Sequence, residues 1–127
     1  MASPPPTAAQ FAEVVVDIET GTITVERLLM IVDCGRVINP LILAGQIQGG
    51  VAQGIGLALT EDFDDLEKHT SMRACGMPYP KDVTDDLTVL YLETPRPLGP
   101  YGASGCGEAP VASYQRANTP SRSPSWP

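Results

Sequence analysis

Glu108 closes the segment Tyr101-Gly-Ala-Ser-Gly-Cys-Gly-Glu108 and precedes Ala109-Pro110, so it stands among small residues and apart from the other acids. A carboxylate enclosed in such a loop loses solvation and holds a proton more readily, which suits it to act as a general base. The position equally suits a carboxylate at a helix start, with Pro110 in the first turn and the helix dipole favouring the charge. Residue types leave both roles open. Around Glu108, Gly99, Gly102, Gly105 and Gly107 make a pliable backbone whose N–H groups could line an anion or cofactor site. Their spacing is not the dinucleotide GxGxxG, and no Lys-Ser/Thr follows as it would in a P-loop.

A second group lies on one turn-spaced row. Gln46, Gly49, Gly50 and Gln53 fall at i, i+3, i+4 and i+7 and share a face if the segment is helical. Glycine inside a helix costs about 1 kcal/mol relative to alanine, a cost that makes sense where a backbone or a ligand must come close. The two amides could each donate and accept hydrogen bonds to such a ligand. Tight packing of the helix on a sheet, with solvated amides, accounts for the row equally well.

Other candidates for chemistry are weaker. Cys34, Cys75 and Cys106 form no CxxC pair, and an odd, widely spaced set reads as reduced thiols of a cytoplasmic protein. His69 has no second histidine with which to share a metal. The acids Glu61, Asp62, Asp64, Asp65 and Glu67 lack the alternation, central glycine and terminal glutamate of a calcium loop, and read as a solvated turn. No metal bound by protein side chains is expected.

The elements that must position Glu108 and the glutamine row fit one α+β domain of 127 residues. Phe11–Ile18 and Ile23–Val32 are rich in β-branched residues and are joined by Glu19-Thr-Gly21-Thr, which predicts a β-hairpin with Gly21 at positive φ. Asn39-Pro40 resembles an N-cap with proline at the first helical position, and a glycine-rich helix should run from there to about Leu59. Asp86–Leu92 reads as a further strand, followed by a long Gly/Pro loop to Pro110. Residues 1–10, with three successive prolines, are expected to be a disordered leader, and the Ser/Pro-rich residues 113–127 a disordered tail. Neither the basic region nor the apolar region of a signal peptide opens the chain.

Charge and hydropathy exclude two classes of partner. Fifteen acids against eight Lys and Arg give a net charge of −7, which repels a phosphate backbone. The run between Arg36 and Glu61 carries no charge and contains GxxxG spacings, but three glutamines and five glycines dilute it. Lipid offers no partners for those amides, so neither nucleic acid nor a membrane is expected as a partner.

Three segments in order carry a resemblance: Asp33-Cys-Gly-Arg-Val-Ile-Asn-Pro40, Gly45-Gln-Ile-Gln-Gly-Gly-Val-Ala-Gln-Gly-Ile-Gly56 and Tyr101-Gly-Ala-Ser-Gly-Cys-Gly-Glu108. Together they resemble the C-terminal part of the molybdopterin-binding subunit of the xanthine dehydrogenase and aldehyde oxidoreductase family, from about Phe11 to Val111. Leu57–Phe63 and Pro95-Arg-Pro97 are most similar to the bacterial aldehyde oxidoreductases. The resemblance implies hydroxylation of an aldehyde or aromatic heterocycle at a molybdenum centre, with oxygen taken from water. It assigns the general base to Glu108, and the cofactor contacts to Gln53, Gly50, Gly105 and Gly107. The metal would be held by the dithiolene of the molybdopterin, whose cytosine dinucleotide form is usual among bacterial relatives. Iron–sulfur clusters would belong to other domains or subunits.

Members of that family have subunits several times longer than this chain. The resemblance therefore implies a partial molybdopterin-binding domain over residues 11–112, a piece of a larger domain with unrelated ends, inactive unless the remaining segments or subunits join it. A non-catalytic remnant or binding module that keeps the fold is the alternative.

Overall fold

A computed structural model of the chain describes residues 5–62, 65 and 67–111. Strand β1 spans Thr7–Val16 and strand β2 spans Ile23–Asp33; they pair antiparallel as the expected hairpin. The turn is set by Asp17, whose carboxylate accepts hydrogen bonds from the Glu19 N–H (2.8 Å) and the Thr20 N–H (3.2 Å). Gly21 follows at φ 73°, the left-handed conformation that the turn requires of it.

Strand β1 starts at Thr7, inside the stretch that composition assigns to a disordered leader. Thr7–Gln10 pair with Asp33–Met30, and Ala8 packs at the margin of the core. The long β2 strand carries the pairing past the point where the β-branched residues of β1 run out. Residues 1–4 of the expected leader and the whole expected tail, 113–127, lie outside the described residues, as does Asp64 of the acidic stretch.

Helix α1, Pro40–Ile55, begins as its cap residues dictate: the Asn39 side chain accepts from the Ile42 N–H at 3.1 Å, and Pro40 occupies the first turn. It continues as one wider π-helical segment over Gly56–Thr60, ending close to the predicted limit. Leu43, Ile47, Val51 and Ile55, four residues apart in turn, form the buried ridge of α1. This ridge meets Leu28, Met30 and Val32, which alternate along one face of β2, and together they make the core. The helical run Pro40–Thr60 is long and apolar enough to cross a bilayer by length and composition, yet its apolar ridge is committed to the sheet.

Strand β3, Leu87–Leu92, lies parallel to β2, giving the order β1-β2-β3 with β2 central. Leu87, Val89 and Tyr91 flank the core. On the opposite face, Phe11, Leu90 and Leu92 are about half exposed or more (62%, 48% and 55%), and α1 does not cover them. The parallel pairing places the C-terminal ends of β2 and β3 side by side, and the segments that follow them meet there.

Candidate functional site

After β2, the chain turns at Gly35, whose φ is 70°. The Gly102 carbonyl comes against the Gly35 Cα where a Cβ would stand, and it accepts hydrogen bonds from the Arg36 and Arg96 N–H groups, each at 3.0 Å. Ala103 bridges to Gly35, and the Ser104 N–H donates to the Cys34 carbonyl at 2.7 Å. These contacts stitch the Asp33-Cys-Gly segment to the Gly-rich loop, which are far apart in sequence.

Asp33 and Arg96 close the same junction from the other side. The Asp33 carboxylate accepts from the Gly35 N–H (3.0 Å) and the Thr94 N–H (3.2 Å), and Arg96 Nη2 lies 3.5 Å from Oδ2. The Thr94 side chain, followed by the Gly35 N–H, holds the Asp33 carboxyl below the usual carboxylate range, with the Arg96 charge adding to the effect. The acid is thus kept ionised as an acceptor.

From Ser104 the loop crosses onto α1. Gln46 Nε2 donates to the Gly107 carbonyl at 3.1 Å. Three residues further on, Pro110 is fully buried, and a Cβ on Gly50 would stand 2.9 Å from the Pro110 Cβ. Residues 109–111 are helical, so Glu108 sits immediately before a helical turn, exposed, between these two anchors.

The structure therefore brings Gly107 to Gln46 and Pro110 to Gly50, with Glu108 in the chain between these contacts. The Pro110 ring lies against Gly50 on the side where a Cβ would stand. Gly49, by contrast, has nothing within 4 Å of its Cβ direction, and neither has Gly105. Gln53 is exposed at the far end of the row. The row does not pack on the sheet, which takes the adjacent Leu43–Ile55 ridge.

Beneath the loop is a cavity of about 240 Å³ lined by residues including Cys34, Val37, Asn39, Gln46, Ser104 and Cys106. The Ser104 hydroxyl is buried with no hydrogen-bond partner among the described residues. Cys34 and Cys106 are free, and burial pushes both thiols up, so neither is an activated nucleophile. Residue types alone do not single out Asp33 and Arg96, which build this junction. Asp33 and Arg96 are 63 positions apart, and no local spacing links them.

Residues 2–84 match the family described as the molybdopterin cofactor-binding domain. The chain belongs to that family. This member of the molybdopterin cofactor-binding domain family is 50% identical over 106 residues to the aldehyde oxidoreductase of Megalodesulfovibrio gigas, a match covering 84% of the chain and 12% of that protein. It is 36% identical over 101 residues to the nicotine 6-hydroxylase large subunit of Paenarthrobacter nicotinovorans, covering 77% of the chain and 12% of the relative. The solved aldehyde oxidoreductase from Desulfovibrio gigas superposes with a TM-score of 0.83 at 47% identity, over 87% of this chain and 12% of that one. The chain thus spans about an eighth of the length of these relatives, by the 12% coverage of each.

Proposed function

We propose that this segment supplies one wall of the molybdopterin site of an oxidoreductase that hydroxylates an aldehyde or an aromatic heterocycle with oxygen from water. The observation that carries the reading is the docking of the Glu108 loop onto the glutamine and glycine row of α1. It sets a carboxylate beside a helix face that carries exposed amides and a glycine open to close approach.

The residues present fit a polar, flat cofactor. The Ser104 hydroxyl is a buried polar group without a partner among the described residues, and Gly105 and Gly49 leave room where side chains would intrude. Gln53, Gly105 and the backbone at Gly107 would hold the cofactor, most simply as its cytosine dinucleotide form. When bound, the molybdenum cofactor would supply the two-electron redox chemistry, with iron–sulfur clusters expected only in other domains or subunits. Glu108 supplies what the cofactor lacks, a proton acceptor, and takes the proton of the water-derived oxygen as it attacks the substrate. Its exposure here makes enclosure the task of the remaining segments or subunits of the enzyme, acting in the cytoplasm without nucleic acid or membrane partners.

Joining the chain to the remaining segments of a relative's subunit tests the reading. Molybdenum and pterin should co-purify with the completed subunit in near-stoichiometric amounts. A folded completed subunit that retains neither would overturn it.

A further inference from the structure

We infer that Gln46 is a positioning residue for Glu108, acting through the carbonyl of the residue before it; the inference rests on the reading of Glu108 as the base. The loop around Glu108 meets α1 at two points. On one side the Gln46 amide donates to the Gly107 carbonyl at 3.1 Å; on the other, Pro110 is buried against Gly50. Glu108 is the residue between these anchors that points its charge outward, and it makes no ion pair among the described residues.

The two anchors do different work. Pro110 fixes where the helical turn at 109–111 begins, but rotation about the backbone at Gly105 and Gly107 would still swing Glu108. Both glycines lack the side chain that would restrict this, and the Gly105 Cβ direction is empty. The Gln46 hydrogen bond removes that freedom by fixing the peptide plane between Gly107 and Glu108. A base must be held within hydrogen-bond reach of the proton it takes, so this peptide plane decides whether Glu108 is aimed. Only a donor at position 46 can do this, because the Gly107 oxygen is an acceptor.

Cys106 reports on the loop without any turnover. It is half-buried and lines the same cavity as Gln46, so a released loop exposes its thiol. Cys75 is buried at a separate place in the fold and reports on general unfolding. The experiment measures iodoacetamide alkylation of each thiol by mass spectrometry in the full 127-residue chain. Gln46→Ala and the near-isosteric Gln46→Glu should each speed alkylation of Cys106 about fivefold, the population change expected for losing one hydrogen bond. The Cys75 rate should stay unchanged, and Gln46→Lys, which restores a donor, should return Cys106 close to the parent rate. An unchanged Cys106 rate in both donor-free variants, or a rise shared equally by Cys75, would overturn the inference. Because no catalysis is read, this outcome is independent of whether Glu108 proves to be the base.

Discussion

Arg96 lies across the end of the sheet with its Nη2 3.3 Å from the main-chain oxygen of Asp33 and 3.5 Å from its carboxylate. Both side chains are largely buried, 20% and 15% exposed. The pair joins the strand that leads into α1 to the loop that leads to Glu108. Arg96→Ala would leave the Asp33 carboxylate with only its hydrogen-bonded partners. The expected outcome is a lowered Tm, with Cys106 and Cys34 becoming more reactive to thiol reagents than Cys75. Equal gains at all three thiols would show that the pair stabilises the fold in general and not this junction.

The same carboxylate sets a pH dependence. Asp33 titrates below the usual range in the folded chain, so its contribution is complete above the unfolded-state pKa of about 4 and is lost as pH falls through the lower folded value. Thermal stability should therefore fall as the pH is taken from about 4 towards 2, and Asp33→Asn should flatten part of that fall. Circular dichroism melts across this window read the effect. An acid limb of the same slope in Asp33→Asn would remove Asp33 from the account.

Gly35 has no substitute at its position. Its φ of 70° is unfavourable for any side chain, and the Gly102 carbonyl fills the place of a Cβ. Gly35→Ala should cost at least about 2 kcal/mol in a denaturant titration, combining the left-handed penalty with the overpacking. A loss under about 0.5 kcal/mol, the usual size for a surface change, would contradict the geometry.

Much of this architecture is legible in the residues, and the limits have physical causes. The hairpin follows from two β-branched runs around Gly21, and the start of α1 from Asn39-Pro40, because each signal is local. The direction of β3 was not legible: Leu87–Leu92 is apolar on both faces, so its pattern specifies neither edge nor sense. Thr7–Gln10 is poor in strand formers and is held by its partner β2, a non-local effect that composition cannot register. The spacing of the glycine row leaves close approach and packing on the sheet equally open, and the neighbour at Gly50, Pro110, depends on how a distant loop returns.

The open face of the sheet carries Phe11, Leu90 and Leu92, each about half exposed or more. Apolar surface of this kind favours association. The isolated chain should sediment as a self-associating or partly molten species, and Phe11→Lys should shift it towards monomer. A strictly monomeric parent chain with a sharp cooperative melt would contradict this.

Gln53 is exposed on the same row as Gly49, one helical turn beyond Gly50, which Pro110 of the loop contacts. In a completed subunit, Gln53→Ala should lower pterin and molybdenum content severalfold while the circular dichroism spectrum stays that of the parent, since one lost hydrogen bond of about 1 kcal/mol weakens binding by that order. Unchanged metal and pterin content would return Gln53 to a solvated surface role.

The most direct measurement concerns Glu108. Glu108→Gln keeps size and hydrogen-bonding capacity but cannot accept the proton. In the completed subunit it should lower the hydroxylation rate by about a hundred- to ten-thousand-fold, the usual contribution of a general base, with molybdenum and pterin content nearly unchanged. Activity should not return at higher pH, and Cys106→Ala, two residues away, should be tolerated. A Glu108→Gln enzyme that keeps its cofactor and more than about a tenth of the parent rate would contradict the assignment of Glu108 as the base.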